Sequence, residues 1–154
     1  MTNLICNVLK ALSGKTLVTA ESCTGGGIGA SITAVPGSSA VYKGGIISYT
    51  NWVKENVLRV DGQLLEQYGA VSLPVAKAMA EGVRKVLEAD IAVSVTGLAG
   101  PGGDDFGNPV GTVFIGYANG EKSFAKRFLF SGDREAVRNQ AICAALNIVL
   151  EETL

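Results

Sequence analysis

Histidine is missing from all 154 residues. Its absence removes the imidazole base that activates most serine and cysteine nucleophiles, so any nucleophile here must be deprotonated by another group. Cysteine is scarce: Cys6, Cys23 and Cys143 are odd in number and show no C-x-x-C spacing. That pattern supports neither a disulfide framework nor a thiolate zinc site, and it fits a reducing, cytoplasmic setting. No His/Cys/Asp/Glu group has metal-ligand spacing, so neither metal nor cofactor is expected. No segment approaches the roughly 18 apolar residues of a membrane span, and the start, MTNLICNVLKALSG, lacks a basic leader region. A soluble protein with no membrane partner follows. Neither charge sign dominates, with 13 Lys and Arg against 14 Asp and Glu, which gives no reason to expect nucleic acid.

Apolar residues are plentiful at 47%, against 18% charged. Disorder is thereby excluded, and a chain of this length buries a sizeable core without staples. No internal repeat or low-complexity linker appears, so residues 1–154 are expected to form a single domain. Leu4, Ile5, Val8, Leu9 and Leu12 recur at helical spacing over Asn3 to Ser13, and Gly14 sits where a helix ends. Thr16 to Glu21 reads as a strand, Thr24 to Thr33 as a helix diluted by glycine, and Gly44 to Thr50 as a second strand. Short helices are expected over Asn51 to Leu58 and Gln63 to Tyr68, then a longer one from the Ser72 cap to about Glu88. Ile91 to Thr96 is a buried strand by its β-branched content. The glycine-rich stretch LAGPGGDDFGNPVG, Leu98 to Gly111, is a loop, and Asn119-Gly120 joins two strands, Thr112 to Ala118 and Ser123 to Phe130. A final helix runs from Asp133 to about Glu151. Together these elements predict an α/β fold, a three-layer α/β/α sandwich with a mixed, mostly parallel sheet that includes one antiparallel hairpin.

Two phosphate-loop patterns fail on inspection. Ser13-Gly14-Lys15-Thr16 ends like a P-loop, but Leu9 stands where its first glycine belongs and a strand follows. Gly25 to Ala30 satisfies G-x-G-x-x-A, yet no acidic strand end follows at the dinucleotide-binding distance. The glycines still have a use, because small residues at a strand-to-helix turn expose backbone N–H groups to an anion or a developing oxyanion. Ser22 sits at that turn, as nucleophile or as helix cap. Cys23 is the competing nucleophile, or a small buried side chain. The base left to either is a carboxylate or a lysine with a lowered pKa. Lys54 follows the second strand as Ser22 follows the first, so parallel neighbours would bring both to the carboxyl edge of the sheet, where Thr96 also ends a strand. Arg134 and Arg138 share a helical face behind the Asp133 cap, as an anion site or as surface charge. Asp104-Asp105 reads as solvated.

Several stretches together resemble the CinA C-terminal domain family: TAESCTGG at 19 to 26, PGSSAVYKGGIISYTN at 36 to 51 with Lys54 after it, YGAVS at 68 to 72, VSVTGLAGPGG at 93 to 103, PVGTV at 109 to 113 and SGDREAVR at 131 to 138. The characterised members are nicotinamide-nucleotide amidases of the PncC type. The resemblance implies hydrolysis of the carboxamide of nicotinamide mononucleotide to nicotinic acid mononucleotide and ammonia, in pyridine nucleotide recycling. It implies Ser22 as nucleophile and Lys54 as its base, with Tyr49 and Thr96 also catalytic and Cys23 demoted. Glu21, Cys23, Thr24, Gly25, Gly26, Gly97, Arg134 and Arg138 are the expected substrate-binding residues, with the phosphate of a small mononucleotide going to a helix N-terminus or to the arginines. A homodimer or higher homo-oligomer is expected. The family's N-terminal domain, which resembles molybdenum-cofactor enzymes, is not in this sequence, and with it any pyrophosphatase activity is expected to be absent. Trp52-Val53, Leu73 and Asn108 depart from the commoner residues, and Trp52 is expected to reshape the pocket or desolvate Lys54. The alternative reading is a non-catalytic nucleotide-binding or competence-associated regulatory module.

Overall fold

Short apolar runs at Leu17–Glu21 (β1) and Ile91–Gly97 (β3) become interior strands of a five-stranded sheet, in a computed structural model that describes residues 1–153. Every β1 residue is buried, as continuous apolar runs covered on both faces require. Tyr42–Ile47 (β2) pairs parallel to β1 at one edge, and β1 pairs parallel to β3. Thr112–Ala118 (β4) runs antiparallel to β3, and Ser123–Leu129 (β5) antiparallel to β4, giving the order β2-β1-β3-β4-β5. Four strands therefore point one way and only β4 opposes them, the mixed sheet expected. A second antiparallel pair, β3 with β4, goes beyond the one hairpin expected. The loop between them contains no helix, so it returns the chain beside β3 rather than crossing over the sheet.

Helices cover both faces. Thr2–Ala11 (α1), Gly27–Thr33 (α2) and Arg134–Thr153 (α6) lie on one, where Ile5, Val8, Ile28, Ile32, Ala141 and Leu146 pack against Leu17, Val93 and Val95. Leu73–Val86 (α5) lies on the other, with Val75, Met79 and Val83 against Val18, Ala20 and Ala92. Alternation along β1 and β3 divides the residues between the two cores. Each fully buried aliphatic side chain contributes about 1.5–3 kcal/mol relative to exposure. Close approach of α5 to β4 depends on Gly116, where an added Cβ would collide with the Ala76 carbonyl oxygen. Asn51–Asn56 (α3) and Gly62–Tyr68 (α4) complete the chain. No helix of the described residues is long and apolar enough to cross a membrane.

Two differences from the expected boundaries shape the site. The second helix starts at Gly27 rather than Thr24, because Gly25 and Gly26 take left-handed φ values of 58° and 97° and bend the chain first. The second strand covers 42 to 47 rather than 44 to 50, and Ser48–Thr50 leave the sheet. Glu21 of β1 is level with Ile47 of β2 and Val95 of β3. Ser22, Ser48 and Thr96 consequently emerge together at the carboxyl edge. The chain passes from β1 outward to β2 and back across to β3, so the connections diverge between β1 and β3, the place where open α/β sheets bind ligands.

Candidate active site

A cavity of about 460 Å³ opens at that divergence, within the size range of small-molecule sites. Ser22 and Cys23 line it from just beyond β1, Tyr49 from the β2–α3 connection, Lys54 from α3, Thr96 and Gly97 from β3, and Arg134 from α6. Sequence reasoning had named all seven. Glu21, Thr24, Gly25, Gly26 and Arg138, named with them as substrate-binding, do not line it.

Ser22 is held at the strand end by its N–H, which donates to the Val95 carbonyl at 2.9 Å. Lys54 is 1% exposed although it carries an ammonium, because the α3 helix turns it inward beneath the β2 end. Its Nζ lies 3.1 Å from Ser22 Oγ, 2.7 Å from the Ser48 carbonyl and 3.4 Å from the Tyr49 carbonyl. Among the described residues it forms no ion pair. Burial without a carboxylate partner lowers its pKa from 10.5 to about 8, slightly opposed by Cys23. A neutral amine has two N–H donors and one lone pair. The two carbonyls take the donors, and the lone pair is left for the Ser22 hydroxyl, which then donates to Nζ. The arrangement is that of a general base beside its nucleophile.

Cys23 is 6% exposed and packs within the apolar core on the α6 face. Burial pushes its thiol pKa up to about 11, so the reactive thiolate is scarce near neutral pH. Behind it the turn is stiffly held. The buried Glu21 carboxylate accepts from Thr24 Oγ1 at 2.7 Å and from the Ile28 and Gly29 N–H groups at 2.8 and 3.1 Å, which fixes α2 to the turn. Gly25 N–H donates to the Ser22 carbonyl and Gly27 N–H to that of Thr24. The Cys23 N–H has no acceptor outside its own residue among the described residues, and Cys23 lines the cavity, so this group is placed to receive an oxyanion, whereas Thr24 is fully buried away from it.

Thr96 Oγ1 donates to the Ala70 carbonyl at 2.8 Å, which ties the β3 end to the opposite wall. Arg134 is exposed at the mouth; its Nη1 donates to the Gly100 carbonyl at 2.7 Å and its Nη2 reaches the Tyr49 hydroxyl at 3.5 Å. Asp133 does cap α6, accepting from Ala136 N–H at 2.9 Å. Asp104, read as solvated, instead organises the β3–β4 loop: it accepts from the Phe106 and Asn108 N–H groups and from the Asn108 side chain. Trp52 is 67% exposed and lines no part of the cavity, so the expected reshaping of the pocket is not seen. Sequence reasoning missed Ser48, whose carbonyl is the nearest acceptor for Lys54, and Asn51, which lines the cavity. No sequence signal marked Ser48, which the strand expected over 44 to 50 had placed inside β2 rather than just beyond it.

The sequence pattern of the CinA C-terminal domain matches residues 1–153. A nicotinamide-nucleotide amidohydrolase PncC of Pseudomonas putida is 47% identical over 135 residues, covering 88% of this chain and 84% of that protein. A putative competence-damage inducible protein of Thermoanaerobacter pseudethanolicus is 48% identical over 134 residues, covering 87% of this chain but 32% of the relative. The chain thus spans about a third of the length of relatives of this second kind. Among solved structures, a CinA superfamily protein of Klebsiella pneumoniae superposes with a TM-score of 0.95 at 36% identity, over 99% of this chain and 96% of that one. The chain belongs to the CinA C-terminal domain family.

Proposed function

We propose that this CinA-family chain is an amidohydrolase that converts the carboxamide of nicotinamide mononucleotide to nicotinic acid mononucleotide and ammonia, within pyridine nucleotide recycling. The observation that carries the reading is the buried Lys54 Nζ at 3.1 Å from Ser22 Oγ, with only backbone carbonyls as its other partners among the described residues. Similarity to the Pseudomonas putida amidohydrolase supports the choice of substrate.

In this mechanism Ser22 Oγ attacks the amide carbon while its proton passes to Lys54. The carbonyl oxygen becomes an oxyanion, received by the N–H of Cys23, which lines the cavity. The C–N bond breaks as the Lys54 ammonium returns the proton to the leaving nitrogen, releasing ammonia and leaving an ester on Ser22. Lys54, neutral again, takes a proton from water; the hydroxide adds to the ester, and on collapse the Lys54 ammonium returns that proton to the departing Ser22 Oγ, freeing the carboxylic acid and restoring both residues. Protons and atoms balance without metal or cofactor. Arg134 and the Tyr49 hydroxyl, together at the mouth, suit the substrate phosphate, and guanidinium is well matched to it. Thr96 contributes by fixing the β3 wall that faces the amide.

The direct test is incubation of purified protein with nicotinamide mononucleotide in the presence of a chelator, with both products quantified. Stoichiometric ammonia and nicotinic acid mononucleotide support the proposal. Measurable binding of the nucleotide without turnover would overturn it in favour of a nucleotide-binding or regulatory module.

A further inference from the structure

Arg138 was expected to meet a substrate phosphate, but its guanidinium is already committed elsewhere. From the second turn of α6 it reaches across to the nucleophile turn, where Nε donates to the Cys23 carbonyl at 3.0 Å and Nη2 to the Thr24 carbonyl at 3.1 Å. A planar fork spanning two successive carbonyls fixes the orientation of two successive peptide units. Ser22 and the cavity-lining Cys23 stand at the head of that segment, so fixing the Cys23 and Thr24 carbonyls fixes the turn that presents the nucleophile.

We infer that Arg138 is a positioning residue that holds in place the turn presenting Ser22, rather than a ligand for the substrate phosphate. The inference rests on the amidase reading above. The turn needs such support because Gly25 and Gly26 have no side chains to hold it, and because Glu21 secures only its inner side through Thr24 and α2. The long, well-packed α6 supplies a rigid anchor for the outer side. Arg134, one turn earlier, holds the Gly100 carbonyl on the opposite rim, so α6 braces both walls of the cavity.

The experiment compares wild type, Arg138→Lys and Arg138→Met on nicotinamide mononucleotide and on nicotinamide riboside, which lacks the phosphate, and follows amide hydrogen exchange in the same proteins. A positioning role predicts that Arg138→Met lowers kcat about 10–100-fold on both substrates by the same factor with KM little changed. Arg138→Lys, which keeps the charge but loses the fork, falls between. Exchange at Gly25 and Gly27 should quicken while exchange within α6 stays unchanged, which separates a loosened turn from a general loss of folding. A raised KM confined to the phosphate-bearing substrate, or unaltered exchange at Gly25 and Gly27, would overturn the inference. An inactive wild type would sink the amidase reading instead, and the exchange measurement would still decide whether Arg138 holds the turn.

Discussion

Lys54 Nζ stands 3.1 Å from Ser22 Oγ although the two residues are 32 positions apart, and among the described residues no acidic side chain pairs with the lysine. Parallel pairing of β1 with β2 produces the meeting, because each residue follows its strand at the same edge. An ammonium in this position is poorly solvated and has only dipoles around it, and its basicity shifts accordingly.

The pH dependence of turnover follows from that shift. The base must be neutral to act, and with a pKa of about 8 roughly a tenth of the protein holds it neutral at pH 7. We expect kcat/KM to rise about tenfold per pH unit below 7 and to level off above 8.5. A profile measured from pH 5.5 to 9.5 checks this; a rate independent of pH over 6 to 9 would contradict it.

Stability carries the same signature with a defined sign. Between pH 8 and 10.5 the unfolded chain binds a proton on Lys54 that the folded chain does not. Folding is therefore favoured as pH rises through that window, and the cost of burying the ammonium is full below 8. Relative to Lys54→Met, the wild type should gain on the order of 2–3 kcal/mol from pH 7.5 to 10.5, read by urea denaturation of both proteins.

Glu21 serves the turn rather than the substrate. Replacing it by Leu leaves Thr24 Oγ1 and the Ile28 and Gly29 N–H groups buried without an acceptor. A loss of about 2–4 kcal/mol in unfolding free energy is expected, with a smaller loss for Glu21→Gln, which keeps one oxygen acceptor. Equilibrium denaturation monitors both, and equal effects would show that the hydrogen bonds to the carboxylate do not matter.

Cys23 should be chemically quiet. Its thiol is buried with a pKa of about 11, whereas Cys6 and Cys143 are partly exposed. Maleimide at pH 7 should label Cys23 only after unfolding, and Cys23→Ala should keep turnover within a few-fold of wild type. Rapid labelling of the native Cys23 thiol would contradict this.

Much of this organisation could be read from residue patterns. The buried strands Leu17–Glu21 and Ile91–Gly97 announced themselves as short apolar runs, and the Asn119-Gly120 turn joined β4 to β5 as expected. Placing Ser22 near Lys54 needed only the assumption of parallel neighbours. What sequence did not reveal depends on where backbone groups point. Glu21 looks like a site residue, yet its carboxylate turns inward because α2's first N–H groups need an acceptor. Arg138 looks like an anion ligand, yet it is consumed by two carbonyls brought within reach only once α6 packs beside the turn. Ser48 carries no sequence motif, because it contributes a carbonyl that every residue has.

The claim on which the account turns is that Ser22 is the nucleophile and Lys54 its base. Initial rates of ammonia release from nicotinamide mononucleotide at pH 8, with chelator present, should be compared for wild type, Ser22→Ala, Lys54→Ala and the double variant. The account predicts a loss of about 1,000-fold or more in each single variant, and little further loss in the double, because groups acting as one unit are removed only once. Retention of more than about a tenth of the wild-type rate by either single variant would contradict it, since one absent member disables such a pair.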